Sequence, residues 1–265
     1  MTTTDSTVRY EKDGHVARLT IDRAHRHNAM TFETLATLRD GVLRAKADGD
    51  VRVLVLTGAG DNAFCAGADL GGVRGDTLSA EAAHAGRGQL AELFKAMWSS
   101  GIPTIARVRG FALAGGFGLA MACDIVVAAD DAVFGTPEVA VGLWPYMITV
   151  PLLRSMAPKV ALELMMTGRR VTAEEAQRLG FVNQLVAAAD LDSAVDDVAN
   201  RIAAQSPTAI RLGRTTFYQT LGASTEQALA LLQSMLSVAS ATEDAREGVA
   251  AFAEKRKPVW SGGVT

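Results

Sequence analysis

The chain is short of several features that would settle its class at once. It has two cysteines in 265 residues, Cys65 and Cys123, both in Ala/Gly-rich surroundings. Two thiols are no disulfide framework for a chain of this length, and they point to a reducing compartment. No apolar stretch reaches the roughly 20 residues that span a bilayer. The opening MTTTDST lacks the basic region and apolar run of a signal peptide. A soluble, cytoplasmic protein is the expectation. An excess of one charge is also missing: 26 basic against 29 acidic residues leave a net charge of −3. That balance gives no global attraction to nucleic acid or to an anionic membrane, so neither is an expected partner. There is no internal repeat, low-complexity tract or Pro/Gly/Ser-rich spacer, and about half of the residues are apolar. One large domain with a sizeable core, or such a domain with a small appendage, fits.

What is present alternates between strand and helix. Alternation over 8–22 around Lys12-Asp13-Gly14 predicts a hairpin with Val16, Leu19 and Ile21 apolar. Thr31 reads as an N-cap before a helix that presents Leu35, Leu38, Val42 and Leu43 on one face. VRVLVLT at 51–57 is a continuous apolar, β-branched run, as in a strand covered on both faces. A helix over 80–99, a strand over 104–108, a helix over 116–122, a strand over 124–129 and a helix over 145–156 continue the pattern, with a last short strand within 181–186. The fold class is α/β with a mostly parallel sheet built from right-handed βαβ connections. From about 190 onward the chain is alanine-rich and amphipathic, with helices expected at about 190–204, 207–220, 224–239 and 243–255. The division is therefore a core over 1–190 and a helical region over 191–265.

Two strand-to-helix turns are candidates for holding negative charge. NAFCAGADL at 62–70 follows the VRVLVLT strand, and GFALAGGFG at 110–118 follows TIARV. Small residues there let a ligand approach backbone N–H groups, and a helix N-terminus adds a favourable dipole. Two such turns on neighbouring strands can aim two N–H groups at one oxygen. For either turn alone, tight turning and close helix packing are the better explanation. Neither matches a phosphate loop or a dinucleotide fingerprint, since GK[ST] is absent and the glycine spacing is wrong.

IPTIARVRGFALAGGFGLAMACD at 102–124, FCAGADL at 64–70 and FGTPE at 134–138 followed by Gly142 closely resemble the signature of the enoyl-CoA hydratase/isomerase (crotonase) superfamily. The resemblance runs from about Val16 to Lys257, and TEDAREGVAAFAEKRKP at 242–258 looks like the hydratase branch. It implies a crotonase-like spiral of ββα units over 1–190 that holds an acyl-CoA site, and a C-terminal helical trimerisation region over 191–265. It implies a homotrimer or a homohexamer made of two trimers, an acyl-CoA thioester as ligand, and no cofactor, coenzyme A being part of the substrate. The N–H groups of Ala66 and Gly115 would form the oxyanion hole. Ala66, Gly67, Ala68, Asp69 and Leu70 would line the coenzyme A side. Phe252 and Lys255 match positions that contact the adenine and phosphate end, often from a neighbouring subunit. Arg23 and Arg26, in the loop Asp22-Arg-Ala-His-Arg-His-Asn-Ala-Met30, are placed to meet phosphates.

A thioester carbonyl polarised by two N–H donors acidifies its α-carbon, and a general acid/base must then move the proton. Glu138 matches one of the two glutamates that hydratases of this family use, and a carboxylate in an apolar cleft has its pKa raised toward working pH. The second glutamate is absent, its position being Gly118. The usual small turn after Glu138 is replaced by LWPYMI at 143–148, which sets bulky groups, Trp144 among them, near the acyl pocket. Overall similarity favours a hydratase; one carboxylate suffices for double-bond isomerisation; a non-catalytic coenzyme A-thioester-binding protein is the alternative of another class. Hydration with Glu138 alone would need another group, Tyr146 or a backbone carbonyl, to hold the water. Gly118→Glu should raise hydration if only the acid is lacking, and absence of gain would point to the 144–148 segment. His25 and His27 have no carboxylate or cysteine partner at metal-ligand spacing, so no metal is expected. Cys65 lacks the histidine a nucleophile needs.

Overall fold

The computed structural model describes residues 7–69 and 79–261. Strands β1 (Val8–Asp13) and β2 (Val16–Ile21) form the expected hairpin around Gly14, whose φ of +52° is the left-handed turn conformation. Helix α1 (Phe32–Ala47) starts at Thr31, whose hydroxyl accepts the Thr34 N–H. Then follow β3 (Val53–Gly58), β4 (Ala63–Cys65), α2 (Ala80–Ser99), β5 (Thr104–Val108), β6 (Phe111–Leu113), α3 (Gly115–Ala122), β7 (Ile125–Ala129) and β8 (Val133–Gly135). A 3-10 helix, Pro137–Val141, leads through a turn to α4 (Thr149–Ser155) and α5 (Pro158–Thr167). The remaining elements are β9 (Arg170–Thr172), α6 (Ala173–Arg178), β10 (Gln184–Val186), α7 (Leu191–Ala203), α8 (Pro207–Thr220), α9 (Thr225–Ser240) and α10 (Glu243–Ala253).

Two sheets result. The larger has the order β1-β2-β3-β5-β7-β10, parallel except for the β1-β2 hairpin. In β3, Leu54 and Leu56 face the main core with α1 and α2, whereas Val53 and Val55 face Leu191, Val195 and Ala199 of α7. That two-sided cover is why the strand reads as an unbroken apolar run. The smaller sheet, β4-β6-β8-β9, has its first three strands parallel. Each is three residues long, too short for an alternating pattern to show in the sequence.

Two expectations need correction. Leu43 does not share the buried face of α1; it is exposed while Leu35, Leu38 and Val42 are buried. The helix expected over 145–156 begins at Thr149, because residues 145–148 form a turn in which the Pro145 carbonyl accepts both the N–H and the hydroxyl of Thr149. The C-terminal region joins the core through its first helix, since α7 covers a face of the large sheet. Helix α8 is tied in by Asp124, which accepts from Arg214 Nε at 2.8 Å and from Tyr218 Oη at 2.6 Å. Helix α9 buries no residue. Among the described residues no helix is long and apolar enough to cross a membrane.

Candidate active site

The carboxyl ends of β4, β6 and β8 lie side by side, and such edges of parallel sheets are where α/β proteins place ligands. Past β4 runs the loop Ala66–Asp69; past β6 begins α3; past β8 comes the 3-10 helix that carries Glu138. The Ala114 N–H donates to the Gly135 carbonyl at 2.9 Å, which ties the start of α3 to the strand leading to Glu138. Three segments far apart in the chain thus meet at one edge.

The first segment is held from the side by residues 23–30. Asn28 is fully buried with a left-handed φ of +55°. Its Nδ2 donates to the carbonyls of Ala59 (2.9 Å) and Ala63 (2.7 Å), and its Oδ1 accepts the Arg23 N–H. No motif in the sequence marks Asn28 out; its one signal is an asparagine, tolerant of the left-handed conformation, just before the loop. Arg23, expected to meet a phosphate, instead pairs with Asp69 at 2.8 Å and donates to the Ala29 carbonyl. Both members of the ion pair are mostly shielded, so Arg23→Met, which removes this charged hydrogen bond from Asp69, should cost about 2 kcal/mol in a denaturant melt.

The amide expected in the oxyanion hole at Ala66 is already engaged, donating to the His27 carbonyl at 3.0 Å. The Gly67 N–H meets the Cys65 sulfur at 3.4 Å, and the Asp69 N–H donates to the Met30 carbonyl at 2.9 Å. The Ala68 N–H has no acceptor among the described residues, and Ala68 is exposed. So the alternation of the loop, which bridges Met30 to Ala68 as a short parallel pair, turns the Ala68 amide outward. Gly115, the first residue of α3, likewise has no acceptor, as expected for a helix N-terminus. A Cβ on Gly67 would stand 3.3 Å from the Gly115 nitrogen, so loop and helix start are in contact.

Ala114 precedes that helix with φ +50° and ψ −128°, a conformation that suits glycine. The strain is local to the site. Ala114→Gly should stabilise the fold by about 1 kcal/mol, read as a shift of the denaturant midpoint at unchanged slope. Gly116 has no room at all: a Cβ there would lie 2.7 Å from both the carbonyl carbon and the Cβ of Cys65, and closer still to its oxygen.

Glu138 is half-buried, and its Oε2 is sealed from solvent with no hydrogen-bond partner among the described residues. Burial raises its pKa above the usual carboxylate range, and a hydrogen bond from its own backbone offsets part of the rise. Gly118 is buried on the first turn of α3, and its Cβ position is taken by Ile148: an added Cβ would lie 2.6 Å from the Ile148 Cβ and closer to its Cγ2. Trp144 is half-buried against the core. Tyr146 is 77% exposed.

Three other expected residues lie exposed at the surface. Arg26 is exposed with no ion pair among the described residues. Phe252 is 88% exposed on α10, and Lys255 is exposed just beyond it. Leu70 lies outside the described residues. The Cys65 thiol is buried, which pushes its pKa up to about 12 and makes it inert as a nucleophile. Among the described residues no group of three His, Cys, Asp or Glu is arranged to hold a metal.

Unengaged amides at small-residue strand ends, and one buried acid past the neighbouring strand, make up a candidate enzyme site. The chain belongs to the enoyl-CoA hydratase/isomerase family, whose model matches residues 11–263. It is 36% identical to a crotonyl-CoA hydratase of Syntrophomonas wolfei subsp. wolfei over 93% of this chain and 95% of that protein. It is also 36% identical to a carnitinyl-CoA dehydratase of Escherichia coli K12 over 95% of this chain and 97% of that protein. The solved enoyl-CoA hydratase of Bacillus anthracis superimposes with a TM-score of 0.92 at 30% identity, covering 97% of this chain and all of that one. The fold is the crotonase fold, and the relatives are of the hydratase type.

Proposed function

We propose that the chain binds an acyl-CoA thioester with its carbonyl oxygen between the N–H groups of Ala68 and Gly115, and that Glu138 moves a proton at the adjoining carbons. The observation that carries this is the buried, unpartnered Oε2 of Glu138 at the same sheet edge as the two unengaged amides. Charge that develops on the thioester oxygen falls on preorganised donors, and losing one such donor costs roughly 2.7–4 kcal/mol of transition-state stabilisation. A carboxyl group with a raised pKa is suited to exchange protons with carbon acids near neutral pH. The names of the relatives support an enoyl-CoA as substrate, and both hydration and double-bond transposition pass through the enolate such a site holds.

Gly67, Ala68 and Asp69 border the coenzyme A side of this site, while Arg23 and the Ala66 amide shape the loop without touching ligand. Phe252 and Lys255 are exposed at the end of α10, and the proposal assigns them to the coenzyme A of a neighbouring copy in a homotrimer or a pair of trimers. The exposed Leu229, Leu232 and Leu236 on α9 support such an assembly. A panel of 2-enoyl-CoA and 3-enoyl-CoA substrates tests the function. Turnover of one or both is expected. If wild type and Glu138→Gln bind acyl-CoA equally and neither turns over any member of the panel, the proposal fails.

A further inference from the structure

We infer that Ile148 is a specificity-determining residue: it fills the space beside Gly118 from which a second polar group would hold water, and so steers the enzyme toward double-bond transposition. This rests on the proposed acyl-CoA site with Glu138 as its acid/base.

An attacking water needs two or more polar partners to be fixed in place. The first turn of α3 and the segment after Glu138 supply no second carboxylate; their polar side-chain groups are the Trp144 indole N–H and the Tyr146 hydroxyl, neither of them a base near neutral pH. The first turn of α3 is Gly115-Gly116-Phe117-Gly118, with the Phe117 ring fully buried. From 139 to 148 the chain reads Val-Ala-Val-Gly-Leu-Trp-Pro-Tyr-Met-Ile, without an acid, and its one hydroxyl, on Tyr146, belongs to a side chain that is 77% exposed. The nearby threonine hydroxyls are engaged as donors, Thr136 to the Leu164 carbonyl at 2.8 Å and Thr149 to the Pro145 carbonyl at 2.8 Å. Ile148 is itself buried in the main core. The missing Cβ at 118 and the β-branched side chain at 148 are two halves of one packing solution. Glycine at 118 is what lets the isoleucine in, and the isoleucine keeps any longer group at 118 out.

A single carboxylate completes a transposition. Glu138 takes the proton from the α-carbon of a 3-enoyl thioester, and the C–H electron pair moves into a conjugated enolate whose oxygen rests on the Ala68 and Gly115 N–H groups. Glu138 then returns the proton to the γ-carbon, and the double bond ends between the α- and β-carbons. Neither water nor any other co-reactant is consumed, and the carboxylate ends as it began.

The test compares hydration of 2-enoyl-CoA with isomerisation of 3-enoyl-CoA by the full chain and its variants, with folding followed by thermal melts and acyl-CoA binding. Wild type should isomerise at least about tenfold faster than it hydrates. Gly118→Glu alone should lower the melting temperature and gain no hydration. Gly118→Glu combined with Ile148→Ala should gain hydration by about 10²-fold or more, the usual contribution of a positioned acid/base. Ile148→Glu, which brings a carboxylate into the same volume without a Cβ at 118, is the second variant and should gain in the same direction. The inference is overturned if wild type hydrates faster than it isomerises, or if Gly118→Glu alone matches the double variant. It is equally overturned if a folded, acyl-CoA-binding variant with the new acid gains nothing. Failure of wild type to bind acyl-CoA would count against the site itself and not against the role of Ile148.

Discussion

Glu138→Gln should lower turnover of enoyl-CoA by about 10²- to 10⁴-fold while leaving acyl-CoA binding near its wild-type level. The amide is close to isosteric, so the walls of the pocket stay in place, but it neither takes nor gives the proton. For wild type, kcat/KM should rise with pH through an apparent pKa above the ordinary glutamate value, because burial raises the pH at which the carboxyl ionises and a base must first ionise. The same shift sets a sign for stability. The folded protein binds the Glu138 proton more tightly than the unfolded chain does, so stability falls as pH rises from the ordinary glutamate range through the raised value. Glu138→Gln should flatten that window of the pH–stability curve while abolishing the activity. A residue kept at a cost to stability is what an acid/base role predicts, and a structural role would give the opposite sign.

Gly116→Ala should be the most damaging single methyl in the site, costing about 3 kcal/mol and most of the activity together. The added Cβ would press on the backbone of Cys65, the residue from which the amide-bearing loop departs, and backbone has no rotamer with which to yield. Gly115→Ala, one residue earlier, should fold normally. Its Cβ would meet the Met30 Cε at 3.4 Å, with Gly67 and Leu90 no closer than 3.8 Å, which is ordinary contact. A β-branched residue at 115 is required to obstruct the site. Melting temperatures of the two alanine variants, measured side by side, check this contrast; similar losses at 115 and 116 would contradict it.

Much of this site is legible in the sequence because the chemistry concentrates in contiguous strings. FCAGADL, ALAGGFG and FGTPE each mark a strand end, and their small residues are visible without a structure. Which amide is unengaged is not visible. Ala66 and Ala68 stand in the same string, and the choice between them depends on where the His27 carbonyl falls after the 23–30 loop crosses over. Arg23 read as a phosphate ligand for a similar reason: its partner, Asp69, is 46 residues away. The absence of an acid at 118 is plain in one letter, whereas its occupant comes from residue 148, across a turn where a helix was expected. The second sheet escaped notice since three-residue strands carry no period, yet their parallel edges gather the site.

The most direct test of the proposed enolate does not depend on which product is formed. The α-protons of a saturated acyl-CoA, incubated with the enzyme in deuterium oxide, report by NMR whether a proton leaves the carbon beside the thioester. Wild type should wash deuterium into that position, and Glu138→Gln should slow the exchange by about 10²-fold or more. Bound thioester that exchanges no faster than free thioester, or equal exchange by both proteins, would contradict the account.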